Sequence, residues 1–235
     1  MSKVIEIEDL KFTYSDGTEA LRGVTFSVDE GECIGLIGPN GAGKTTLLLH
    51  LNGILRGEGK VRIYNQEVID ENLSFIRKKV GLVFQDPDSQ LFMPTVFDDV
   101  AFGPINMVLG TEEVERRVTM ALSYVDMAAS RDRISHHLSF GEKKRVSLAT
   151  VLSMEPKVLV LDEPTSNLDP LHRSQLIEIL RAIPVTKIIG SHDLDMILEL
   201  ANRVVFLEKG EVVAIGPTQQ ILKTHGYLKK FGFYS

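Results

Sequence analysis

The chain has 235 residues, 43% of them hydrophobic and 25% charged, with a net charge of −6. That balance fits a soluble globular protein of one large or two small domains and argues against non-specific nucleic-acid binding, which needs a basic face. Apolar runs such as Val158 to Leu161 are far too short to cross a bilayer, no signal peptide is expected in "MSKVIEIEDLKF", and the single cysteine, Cys33, excludes an internal disulfide.

From the N-terminus, "VIEIEDLKFTY" alternates polar and apolar residues, turns at Ser15-Asp16-Gly17 and leads to a second alternating run, "VTFSV". Residues 4 to 32 therefore read as strands. "CIGLIG" (33–38) is continuously apolar, as a strand buried on both faces would be, and Cys33 at its edge is expected as buried filler. A glycine-rich loop, a helix from Lys44 to about Asn52 and two strand-like pieces, "KVRIY" and "VGLVFQ", come next. Residues 92 to 153 read as helical; "TEEVERRVTMALSYVDM" has apolar residues at helical spacing and acids in its first turn. "KVLVLDE" and "TKIIGSH" are short apolar strands, each followed by a helix, and "RVVFLEKGEVVAIG" is a hairpin turning at Lys209-Gly210. Alternating strands and helices predict a largely parallel α/β core, with ligands at the carboxyl ends of its strands and the helical middle as an inserted lobe.

The loop "GPNGAGKT" (38–45) matches G-x-x-x-x-G-K-[ST], after a buried strand and at the start of a helix. Gly38, Gly41 and Gly43 let successive backbone N–H groups converge on phosphate oxygens. Lys44 adds a point charge for the outer phosphates, and the Thr45 hydroxyl suits Mg²⁺. Pro39, Asn40, Ala42 and Thr46 complete the candidate nucleotide loop. "VLVLDEP" (158–164) is an apolar strand ending in two acids. Read alone, these could be solvated strand-end acids; beside a phosphate loop, Asp162 suits Mg²⁺ and Glu163 could polarise an attacking water.

"HLSFGEKKRVSLATVLSMEP" (137–156) resembles the signature motif of ATP-binding-cassette ATPases, normally written LSGGQ or LSGGE. Ser139 and Glu142 also form an S-x-x-E capping box, which would place Ser139 at a helix N-terminus. The resemblance covers nearly the whole chain. It implies a P-loop NTPase core with a RecA-like, largely parallel sheet, an N-terminal antiparallel β subdomain and an inserted α-helical signature subdomain. Residues 1–235 would form one cassette, with 1–32 and 55–80 as the β part, 33–54 and 156–216 as the core, 86–155 as the helical part and 217–235 as a short helix and tail.

The same resemblance implies roles by position. Tyr14 matches the aromatic that stacks on adenine, and Gln85 matches the glutamine that contacts Mg²⁺ and the attacking water. "SNLDP" (166–170) matches the D-loop, with Asp169 at the dimer interface; Pro170 after it is also a good helix start, so Asp169 doubles as a cap. His192 matches the switch histidine on the γ-phosphate. In this family Ser139 and Gly141 of one subunit close over the ATP held by another, so a second cassette, identical or not, is an expected partner. Phe140 departs from the pattern by replacing the first glycine of the signature pair.

What hydrolysis drives is carried by residues 84 to 104, "FQDPDSQLFMPTVFDDVAFGP". They resemble the cassettes of energy-coupling-factor importers, including cobalt and nickel systems, which take up metal ions or vitamins through membrane partners. The chain would then sit peripherally on the cytoplasmic face of the membrane and contact integral-membrane subunits through residues about 86–104. Phe92 and Phe97 are expected to pack the docking groove, while some of Asp86, Asp88, Asp98 and Asp99 meet basic residues of the partner. A soluble cassette of iron–sulfur cluster assembly and the ATPase of another importer class are the competing readings. Members of the importer group often carry a further C-terminal domain; the tail here, with Tyr227, Phe231, Phe233 and Tyr234, leaves dimerisation expected to rest on ATP and the membrane partner.

Overall fold

The computed structural model describes residues 2–223; the tail aromatics Tyr227, Phe231, Phe233 and Tyr234 lie outside the described residues. The chain divides into two compact units, one made of Met1–Leu82, Lys157–Glu163 and Pro184 onward, the other of Val83–Pro156 and Pro164–Ile183.

The first unit holds two sheets. In the N-terminal one, β1 (Lys3–Thr13) pairs antiparallel with β2 (Glu19–Asp29) and β4 (Glu58–Ile63), and β5 (Gln66–Glu67) closes the order β2-β1-β4-β5. Ile7 lies opposite Phe26 and Ile5 opposite Ile63, so the alternation places Ile5 and Ile7 on one buried face, while Val4 is buried on the other. The second sheet has the order β10-β9-β3-β8-β7-β6. Its central strands β3 (Cys33–Ile37), β8 (Thr186–Gly190) and β7 (Val158–Asp162) are parallel, and every residue in them is buried. That is why β3 and most of β7 read as apolar runs, whereas β8 buries Thr186 and Lys187 along with its isoleucines. β9 (Arg203–Glu208) and β10 (Glu211–Pro217) form the predicted hairpin, with Lys209 and Gly210 both at positive φ in its turn. β6 (Val80–Val83) ends the sheet on the other side.

Helices α1 (Lys44–His50), α7 (Leu194–Leu200) and α8 (Thr218–Lys223) belong to this unit, as does α2 (Leu73–Lys79), which the sequence reading did not include between "KVRIY" and "VGLVFQ". Only Ile76 of α2 is buried, so the segment carries no apolar period to read. The result is the expected α/β class: an antiparallel N-terminal sheet and a parallel-rich sheet. The carboxyl ends of β3, β8 and β7 are adjacent in the order, which gathers the glycine loop, Ser191-His192 and Asp162-Glu163 at one edge.

The second unit is helical. It contains α3 (Val96–Asn106), α4 (Thr111–Tyr124), α5 (Phe140–Leu152) and α6 (Pro170–Ala182). α4 buries Val114, Val118, Ala121 and Leu122, one stripe at helical spacing. α6 lies in the span assigned to the core from sequence, yet it clusters with this unit and packs on α5.

Candidate functional site

The loop after β3 is shaped by its glycines. A Cβ on Gly38 would lie 2.1 Å from the Leu207 carbonyl oxygen, and Gly43 sits at φ +102 with the Ala20 carbonyl oxygen 2.5 Å from where its Cβ would be. No other residue fits either place, so the backbone can close into an anion-sized cradle. Lys44 is buried at the start of α1, and its ammonium donates to the carbonyl oxygens of Gly38 at 2.9 Å and Pro39 at 3.2 Å. Nζ also lies 3.8 Å from Oε1 of Glu163. Burial pushes the Lys44 ammonium below the ordinary lysine range, against the opposing pull of Glu163 and Asp162.

Next to Lys44, the Thr45 hydroxyl donates to Oδ2 of Asp162 at 2.8 Å. A hydroxyl and a carboxylate oxygen are hard donors of the kind Mg²⁺ accepts when phosphate oxygens and water complete its shell, so this pair fits the ion. Among the described residues no group of three or more His, Cys, Asp or Glu side chains could hold a metal alone.

Glu163 follows Asp162 at φ +43, an uncommon conformation for a residue with a Cβ. Its Oε2 accepts from the Ser191 hydroxyl at 2.9 Å and from the His192 backbone N–H at 3.3 Å, and Nδ1 of His192 lies 2.9 Å from it. Ser191 in turn accepts from the backbone N–H of Asp193 at 3.0 Å. Asp162, Glu163, Lys44, Thr45 and His192 are thus brought into one constellation. Ser191, fully buried, was not singled out from sequence; its signal was only a hydroxyl beside the candidate histidine. Tyr14 is partly exposed, packs edge-on against Phe12 with ring centroids 4.9 Å apart, and shares a 2.9 Å hydrogen bond between its hydroxyl and that of Thr46. The aromatic face proposed for adenine is therefore tied to the first turn of α1.

The remaining candidates lie in the helical unit. Ser139 caps α5: its hydroxyl accepts from the backbone N–H of Glu142, while the Ser139 backbone N–H donates to the Glu142 carboxylate, a complete capping box. Gly141 is buried under His172, whose ring would be 2.7 Å from a Cβ there. His172 also donates its backbone N–H to Asp169 at 3.0 Å and places Nδ1 2.6 Å from the same carboxylate. Asp169 is thereby the N-cap of α6, and its backbone and ring contacts with His172 hold it below the ordinary aspartate range. Phe140 begins α5 with its ring 5.7 Å from the ammonium of Lys144.

Gln85 is exposed just beyond β6, and in the segment after it Asp99 drops out of the four aspartates expected to supply partner contacts. Asp99 is almost wholly buried and cannot meet a partner's cation: it accepts from the backbone N–H groups of Phe92 and Met93, each at 2.9 Å, and from the Ser135 hydroxyl at 2.5 Å. Asp98 accepts from the Thr95 hydroxyl at 2.6 Å at the start of α3, Asp86 caps the turn at Asp88, and Asp88 pairs with Lys143 at 2.6 Å. Phe97 lies under the guanidinium of Arg131. Asp86 and Asp88 stay at the surface, and beside these charges Phe92 and Phe102, 58% and 44% exposed, meet edge to face with centroids 5.0 Å apart.

Comparison with known proteins agrees with these motifs. A family model described as ABC transporter matches residues 21–166. A Geobacter sulfurreducens protein named as an ABC transporter ATP-binding protein is 56% identical over 219 residues, 93% of this chain and 88% of its own length. The energy-coupling factor transporter ATP-binding protein EcfA of Carboxydothermus hydrogenoformans is 49% identical over 235 residues, 96% of this chain and 87% of its own. Among solved structures, cbiO1 from Clostridium perfringens, described as part of the ABC transporter complex cbiONQ, superposes with a TM-score of 0.86 at 38% identity, covering 98% of this chain and 94% of that one.

Proposed function

This chain belongs to the ABC transporter ATP-binding proteins and is an ATPase, and on that premise we propose that it powers an energy-coupling-factor-type importer of a small solute, a metal ion such as cobalt or nickel or a vitamin. The observation that carries the reading is the stretch from Gln85 to Pro104, whose sequence resembles that importer group and which presents Phe92 and Phe102 to solvent. The similarity to EcfA and to the cbiONQ component supports it. No helix among the described residues is long and apolar enough to cross a membrane, so the translocation path would be supplied by other chains.

Two cassettes would close around two ATP molecules. In each site Tyr14 takes the adenine, residues Gly38 to Thr46 cradle the phosphates, and Ser139, Gly141 and Asp169 come from the other subunit. Lys44, now held by the Gly38 and Pro39 carbonyls, exchanges them for the outer phosphates. Thr45 and Asp162, with Gln85, would hold Mg²⁺, which when bound neutralises charge on the phosphate oxygens. Glu163 orients and deprotonates the attacking water, and His192 contacts the γ-phosphate. Catalysis of this kind is mainly positioning and charge stabilisation of an in-line attack.

The deciding experiment is co-purification from membranes with the partners identified. Recovery of a small integral-membrane solute binder with a larger membrane subunit is the expected result. Recovery of soluble cluster-assembly proteins alone would overturn the importer reading while leaving the ATPase in place.

A further inference from the structure

Four buried positions of α5, Gly141, Lys144, Leu148 and Val151, follow one another at helical spacing, and the second of them is a lysine. Lys144 is only 2% exposed. A buried ammonium is costly unless it is hydrogen-bonded, so its partners report what holds it there. Nζ donates to the backbone carbonyl of Gln85 at 2.7 Å and to the Ser166 hydroxyl at 3.4 Å. Gln85 is the glutamine assigned to the attacking water, Ser166 opens the segment that ends in Asp169, and Lys144 itself stands one turn beyond the signature. Phe140, four residues back on the same helix, lays its ring 5.7 Å from this ammonium, within cation–π range. The aromatic that breaks the signature pattern therefore covers the cation.

We propose that Lys144 is a positioning residue for hydrolysis, its ammonium fixing the Gln85 backbone and Ser166 against the signature helix so that the three move as one piece. A charge-assisted bond to a main-chain carbonyl sets the register of the residue that carries it, whatever its side chain does. Gln90 braces the same segment, accepting from the Phe84 backbone N–H at 3.1 Å and donating to the Ser147 carbonyl at 2.8 Å. Lys144 thus joins this segment to α5 beside Gln90 and the Asp88–Lys143 pair, and is the tie attached at Gln85 itself. The inference rests on the assignment of Gln85 and Asp169 to the nucleotide sites.

The test is a double-mutant cycle in the full chain, measuring kcat, KM for ATP with Mg²⁺, and thermal midpoint for Lys144→Met, Lys144→Gln and each combined with Gln85→Ala. Lys144→Met is expected to lower kcat about tenfold with KM within about twofold, the loss typical of one hydrogen bond to a charged group. Lys144→Gln, which keeps a donor for the carbonyl, should recover part of that loss, and it carries the cycle if the methionine variant does not fold. On the Gln85→Ala background the Lys144 effect should shrink to less than about twofold, since both act through one residue. Wild-type kcat in folded Lys144→Met, a loss confined to KM, or an undiminished tenfold drop on the Gln85→Ala background would overturn the proposal. Gln85→Ala hydrolysing ATP at the wild-type rate would instead overturn the Gln85 assignment.

Discussion

Ser191 donates its hydroxyl to Oε2 of Glu163 at 2.9 Å, joining the residue after β8 to the acid after β7. Ser191 is completely buried, so this bond has no competition from water. Ser191→Ala should lower kcat about tenfold, the effect of one hydrogen bond to a charged group, with little change in KM. Ser191→Thr, which keeps the hydroxyl, should stay close to wild type. Steady-state hydrolysis at saturating ATP decides this, and Glu163→Gln gives the floor: ATP bound, turnover abolished and the dimer trapped.

Lys44 gives a prediction with a pH sign. In the nucleotide-free protein its folded pKa lies below the ordinary 10.5. The folded state then binds fewer protons than the unfolded one through that window, so this group's contribution to stability rises as pH climbs through the folded value towards 10.5. Relative to Lys44→Met, the wild-type nucleotide-free protein should gain stability between neutral pH and that limit, as denaturant melts at several pH values would show. The same substitution should weaken ATP binding at least about a hundredfold, because the outer phosphates lose their only loop cation.

Gly141 and His172 leave no room between them. Gly141→Ala should destabilise the protein by about 1–3 kcal/mol, the usual cost of overpacking, and His172→Ala in the same chain should restore most of it. Chemical denaturation of the three variants measures the coupling. Equal losses from Gly141→Ala with and without His172 would contradict the contact.

The apolar pair at the front of the helical unit is expected to be the docking contact. Phe92→Ser combined with Phe102→Ser should abolish recovery of the membrane subunits while ATP affinity of the isolated chain stays within about twofold, since interface anchors act through desolvated contact area. Co-purification and nucleotide titration on one preparation separate the two effects.

Asp99 and Asp88 should behave in opposite ways although both belong to one acidic segment. Asp99→Ala leaves two backbone N–H groups and a hydroxyl without their acceptor and should cost about 3 kcal/mol or more. Asp88→Ala removes an exposed ion pair and should change stability by about 0.5 kcal/mol or less. Thermal melts of the two variants give the comparison.

This last contrast shows where reading the sequence reaches its limit. The phosphate loop, the acids after β7 and the capped signature helix were legible because each is a local pattern: fixed spacing, an unbroken apolar strand, a serine three residues before a glutamate. The aspartates between 86 and 99 were legible as charges but not as partners, because Asp99 is consumed by Ser135, thirty-six positions away in sequence. Lys144 and Ser191 were missed for the same reason, since their meaning lies in contacts with Gln85, Ser166 and Glu163 that no local period encodes. Lys144 did leave a trace: a cation on the apolar stripe of α5 has to be there for something.

The left-handed backbone at Glu163 has a consequence for how this molecule can be improved. A non-glycine residue there costs on the order of 1 kcal/mol, and the fold sustains it by the bonds converging on the side chain. Glu163→Gly would relax the main chain and remove the carboxylate together. The carboxylate also accepts from the buried Ser191 hydroxyl and the His192 N–H, so the strain relieved is offset by the bonds lost, and a stabilising campaign at this position has to screen for turnover at every round.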